Sequence, residues 1–241
     1  MSGRTLHVVA GLGNPGDKYR ETRHNMGFFV IDALSSEYAI PLARRKFDAF
    51  YGRGSIKGRE VILVKPQSYM NRSGIPICRL IEYFGIAHRN MLVIHDDIDL
   101  VYGRIKIKVK GGHGGHNGVR SIIDTLGDGD FIRLRVGIGR SENESNVTGH
   151  VLGRFQSDEK KMLEQIVARS RDAAVTILCE GTREGMNRFN ERTIQPSSET
   201  LSGGKTGRCN EQFTVDLCAG RCDRRIVFYY PGSGCHERSC R

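Results

Sequence analysis

A histidine oriented by a carboxylate and bordered by side-chain amides can activate water without a metal, and this chain carries each part in a separate segment. His24 stands in the polar run DKYRETRHN (17–25), close to Arg20, Arg23 and Asn25. The segment HDD (95–97) closes the apolar run MLVI, so Asp96 falls at a strand end, where an ionised carboxylate accepts an Nδ1–H and holds one imidazole tautomer. GLGNPG (11–16) follows another apolar strand and presents Asn14 at its end. Its glycines also match the pattern of a dinucleotide loop, but the polar run behind it could not pack a first helix on the sheet. A turn shaped only by Gly and Pro is the plainer reading of the same residues. Asp96, Asp97 and Asp99 likewise admit a Mg²⁺ or Ca²⁺ site or simple turn chemistry.

Other chemistry-bearing residues cluster in RIKIKVKGGHGGHNGVR (104–120). Arg104, Lys106, Lys108 and Lys110 alternate with Ile105, Ile107 and Val109, which makes one strand face a row of cations suited to a phosphodiester backbone. Lysines on an edge strand also guard it against aggregation, so the row has a structural reading too. The glycine loop that follows frees backbone N–H groups and brings Asn117 to the start of a helix. His113 and His116 form H-x-x-H, a poor metal site without thiolate or carboxylate partners. SYMNRSG (68–74) places Tyr69, Met70 and Asn71 between a strand and a helix.

The elements that must hold these residues follow from periodicity. Strands are expected at 6–12, 60–66, 91–100, 104–110 and 131–139, and helices at 28–38, 75–86, 118–127 and 158–181. Interleaved in this order, they predict an α/β fold with a mixed sheet. With 241 residues, 38% hydrophobic and 27% charged, the chain is long enough to bury a substantial core. Its net charge of +10 suggests an anionic partner. No apolar run approaches the roughly 20 residues of a membrane span. The opening MSGRTLHVVA has neither a secretory nor an amphipathic leader pattern, so secretion is not expected.

Beyond Arg192 the composition changes to a Ser/Gly/Thr-rich linker followed by Cys209, Cys218, Cys222, Cys235 and Cys240. We therefore divide the chain into a domain at 1–192 and a tail at 193–241. A zinc site or a disulfide knot would use the tail's cysteines, but only Cys218 and Cys222 approach metal-ligand spacing, and the reading preferred is a disordered, dispensable extension.

Taken together, GLGNPGDKYRETRHNMGF, KPQSYMNRSG, HDDIDLVYGRIKIKVKGGHGGHNGVRSI and FIRLRVGIGR resemble the bacterial-type peptidyl-tRNA hydrolase family in order and spacing, over roughly residues 6 to 190. The resemblance implies a single α/β/α domain with a twisted mixed sheet, acting on the ester bond of peptidyl-tRNA. It implies His24 as the base, Asp96 as its support, Asn14 beside them, and Tyr19, Tyr69, Met70, Asn71 and Asn117 as substrate-binding residues. Lys106, Lys108 and Arg135 are expected to meet phosphates of the acceptor arm, the last two by analogy with basic positions of the family. No metal and no cofactor are implied. The expected protein is a monomer located in the cytoplasm, an organelle being compatible, with peptidyl-tRNA as partner and no membrane. The rival reading is a non-catalytic RNA-binding protein on the same fold, as among plant organelle splicing factors.

Overall fold

The computed structural model describes residues 5–140 and 146–191, and over these the apolar runs assemble into a seven-stranded sheet between two helical layers. In chain order the strands are β1 (His7–Gly11), β2 (Arg44–Lys46), β3 (Ala49–Ile56), β4 (Arg59–Pro66), β5 (Met91–Asp97), β6 (Ile105–Lys108) and β7 (Ile132–Gly137). The helices are α1 (Met26–Glu37), α2 (Gly74–Phe84), α3 (Asn117–Leu126), α4 (Val147–Val151), α5 (Ser157–Glu180) and α6 (Thr182–Phe189). Across the sheet the order is β2-β3-β4-β1-β5-β7-β6. The central four, β4, β1, β5 and β7, are parallel, and β2, β3 and β6 run antiparallel to their neighbours.

Central parallel strands are apolar on both faces because helices cover both. Val9, Leu63, Leu92, Ile94 and Leu134 pack under α1 and α5, while Val8, Ala10, Ile62, Val64 and Val93 pack under α2 and α3. Helix α1 follows β1 into one layer, and α3, the first helix after β5, joins the other. Open α/β sheets bind ligands beyond the carboxyl ends of strands at such a reversal, and here that point is the pair β1 and β5.

Two glycines fix how near α1 comes to that point. A Cβ on Gly11 would lie 2.2 Å from the carbonyl oxygen of Gly27, and one on Gly27 would lie 2.3 Å from the Leu12 nitrogen and 2.4 Å from the Ile94 carbonyl oxygen. Backbone therefore meets backbone where α1 crosses β1 and β5, which draws the residues just before α1, His24 among them, to the end of the sheet.

The expected strands and helices are all present, with ends moved by a few residues. Four elements were not expected: β2, β3, α4 and α6. In β3, AFYGRGSI, glycines that read as punctuation lie inside the strand, because a Cβ on Gly52 would lie 2.4 Å from the Pro41 carbonyl oxygen. All eight residues of β3 pair with β4, through a turn at Lys57 and Gly58 with φ of 47° and 82°. Strand β6 is an edge strand, and the Asn190 side chain closes it at Ile107, accepting from its N–H at 2.7 Å and donating to its carbonyl at 3.2 Å. The Cys-rich tail and its expected disorder lie outside the described residues.

Candidate active site

Strand β5 is buried along its whole length, so the polar residues at its end, His95, Asp96 and Asp97, emerge from a dry interior. Asp96 is 1% exposed. The Nδ1–H of His24 reaches its two carboxylate oxygens at 2.9 and 3.0 Å. His24 belongs to a 3₁₀ turn, Arg23–Asn25, immediately before α1. Its neighbour Arg23 ties the turn down from the other side, donating to Glu159 of α5 at 2.6 and 3.3 Å and to the His150 carbonyl at 3.3 Å.

A second imidazole, to which the sequence alone assigns no role, completes the network. His116 closes the glycine loop and caps α3, its Nδ1 accepting from the N–H groups of Gly118 and Val119 at 3.1 and 3.3 Å. The proton is thereby assigned to Nε2, which donates to Asp96 Oδ1 at 3.0 Å. His95 donates Nδ1–H to the Asp96 carbonyl at 2.7 Å and packs edge-on against His116, ring centroids 4.7 Å apart. The signal for His116 was present, since an H-x-x-H histidine just before a helix is positioned to cap it, but its distance to Asp96 exists only in the fold.

The charges order themselves accordingly. Burial alone would raise the Asp96 pKa, but the two imidazoles, by charge and hydrogen bond, outweigh it and hold the carboxyl well below the usual carboxylate range. Burial pushes His24 down, and the charge and hydrogen bond of Asp96 overcome that and raise it above 6.5. His95 moves the other way, held neutral by burial and then by His116.

A cavity of about 460 Å³ opens over this cluster. Asn14, His24, Tyr69, Met70, Asn71, Asp96, Lys108, Asn117 and Arg135 line it; Tyr19 and Lys106 do not. Asn14 is oriented on both sides. Its backbone exchanges hydrogen bonds with the Asn25 side chain at 2.7 and 3.1 Å, and its Oδ1 accepts from the Met70 N–H at 2.8 Å, which leaves Nδ2 as the uncommitted donor of a residue that lines the cavity. Tyr69, Asn71 and Asn117 are exposed at the rim. Tyr19 instead anchors its own turn, its carbonyl accepting from the Thr22 hydroxyl at 2.8 Å. The far wall comes from α4 and its end, through Val147, Thr148, Val151 and Leu152.

The three aspartates do not converge on a shared cation position. Asp96 serves the histidines, Asp97 accepts from Arg135 and from the Asp99 N–H, and Asp99 accepts from Arg140 at 2.7 Å. Among the described residues, ligand-like spacing occurs at His24, Asp96 and His116, within 4.8 Å of one another, and those atoms are joined by the hydrogen bonds above. Of the basic positions, Arg135 is engaged by Asp97, and Lys106 and Lys108 project from the exposed face of β6.

The family model described as peptidyl-tRNA hydrolase matches residues 8–197. Peptidyl-tRNA hydrolase of Caldanaerobacter subterraneus is 46% identical over 185 residues, covering 77% of this chain and 100% of the relative. That of Bacillus subtilis is 45% identical, covering 77% and 98%. The crystal structure of peptidyl-tRNA hydrolase from Acinetobacter baumannii superposes with a TM-score of 0.74 at 38% identity, covering 79% of this chain and 97% of that one.

Proposed function

This chain belongs to the peptidyl-tRNA hydrolase family, and on that premise we propose that it hydrolyses the ester joining a peptide to the 3′-terminal ribose of tRNA at the cavity over His24. The observation that carries the assignment of the base is the buried His24–Asp96 pair. With Nδ1–H committed to both carboxylate oxygens, the lone pair lies on Nε2, at the wall of the cavity. A water there gives its proton to Nε2 as its oxygen attacks the ester carbonyl. The carbonyl oxygen becomes an oxyanion, and the oriented Nδ2 of Asn14 is the donor built to meet it. Collapse of the tetrahedral intermediate expels the ribose oxygen, which takes the proton back from His24, leaving a free peptide acid and a tRNA hydroxyl. Through this exchange Asp96 stays ionised and faces the imidazolium that forms.

Substrate is held by two kinds of group. Tyr69, Asn71 and Asn117 at the rim take the peptide and the 3′ end, and Lys106 and Lys108 take acceptor-arm phosphates by charge. Turnover separates this reading from an RNA-binding protein that keeps the fold without the reaction. Purified protein is expected to release the N-acetyl-amino acid from N-acetyl-aminoacyl-tRNA catalytically. Binding of tRNA with the ester left intact at high protein concentration would select the binding protein instead.

A further inference from the structure

On the face of β6 and β7 that carries Lys106 and Lys108, one cation is covered. Arg133 pairs in register with Lys108 and stands in the wall of the cavity, yet it is only 2% exposed. Its guanidinium lies 4.4 Å from the centre of the Phe131 ring and donates to the carbonyls of Gly112 at 2.7 Å, Gly111 at 2.6 Å and Gly129 at 3.3 Å. Gly111 and Gly112 begin the glycine loop, in which Gly111, Gly114 and Gly115 all have positive φ. A chain with so few side chains offers little to pack, so what holds it is hydrogen bonding to its carbonyls. Four residues after Gly112 comes His116, the second donor to Asp96, and then Asn117 at the rim of the cavity.

We propose that Arg133 is a positioning residue for the hydrolytic site: it clamps the start of the glycine loop and so sets His116 against Asp96 and Asn117 over the cavity, and it does not contact tRNA. The proposal rests on the assignment of the site to His24 and Asp96. A planar fork of N–H groups is what two successive carbonyls require, and lysine, a single flexible ammonium, reproduces only part of it. Displacing catalytic groups by an ångström costs on the order of 10²-fold in rate, so loosening the loop should be felt in kcat.

The test pairs Arg133→Met with Arg133→Lys. For Arg133→Met we expect kcat to fall about ten- to a hundredfold, in keeping with that cost. KM and the salt dependence of tRNA binding should stay near those of the parent. The Nε2–H signal of His116, followed by ¹⁵N NMR of the histidine rings, should move or exchange away. Arg133→Lys should recover part of the rate and of the signal. A log K versus log salt slope flatter by roughly 0.7–0.9 in Arg133→Met would show a phosphate contact and overturn the proposal. An unchanged kcat with an unchanged His116 signal would overturn it as well. Should both variants fail to fold, the parent protein decides: the Arg133 Nη protons should exchange slowly and keep their shifts when a tRNA acceptor minihelix is added, and a shift on titration would refute the clamp. If the parent binds tRNA but hydrolyses nothing, the reading of His24 falls, while the His116 signal still reports on the clamp.

Discussion

Asp96 remains ionised in a dry environment because two imidazole N–H groups meet it, and that arrangement sets both the tautomer and the basicity of His24. As the proposed base, His24 must be neutral to accept a proton, and the carboxylate raises its pKa above 6.5 against the effect of burial, so kcat/KM should rise with pH through a midpoint above 6.5. Replacing Asp96 by Asn removes the charge that lifts His24, so the midpoint should move to lower pH while the rate falls. His24→Ala should lose about 10²–10⁴-fold in rate with tRNA affinity nearly intact. Initial rates across pH and a binding isotherm for each variant check all three statements. A His24→Ala protein within a factor of two of the parent would remove His24 from the reaction.

Among the elements, β6 admits two duties, edge protection and the phosphate binding proposed above, that its sequence could not apportion. It is the sheet's outer strand, and Asn190 closes its backbone at Ile107, so its lysines are not the only protection of that edge. Lys106 and Lys108 form no ion pair among the described residues, whereas Arg133 is bound to loop carbonyls and Arg135 to Asp97. We expect Lys106→Ala and Lys108→Ala each to flatten the salt dependence of tRNA binding by roughly 0.7–0.9 for every phosphate no longer neutralised, with kcat preserved. Filter binding over a salt series measures this, and unchanged slopes would return both lysines to solubility and edge protection.

At the scale of the whole molecule, residues 5–140 and 146–191 by themselves supply two hydrophobic cores, a seven-stranded sheet and the residues described above around the candidate cavity. A protein ending at Arg192 should therefore keep full peptidyl-tRNA hydrolysis and the same Tm as the 241-residue chain. Loss of activity on that truncation, or stoichiometric zinc in the full-length protein, would assign the Cys-rich segment a structural part in the enzyme.

Much of this was legible from residue order alone. Short apolar runs such as VILV and MLVI, bounded by polar residues, suit strands covered on both faces, and a long amphipathic segment such as 158–181 suits a helix that buries one side, so the α/β class and the main elements follow from local pattern. Asp96 and Asn14 were visible as polar residues at the ends of apolar strands, whereas His24 lies in a charged run whose composition assigns it nothing, and its role came from the family resemblance. What pattern could not reach was proximity. His24 and Asp96 are 72 positions apart, and the 20 between Asp96 and His116 conceal a 3.0 Å contact made by the cap of α3. Strand β3 was hidden because its glycines answer to Pro41 and Ile40 across space, not to their neighbours in sequence. The periodic row of cations legible in the sequence is that of β6 alone; only packing set β7 beside it, bound Arg133 to loop carbonyls, engaged Arg135 with Asp97 and left the lysines to solvent, because the partner of a charge is chosen by distance in three dimensions and not by its place along the chain.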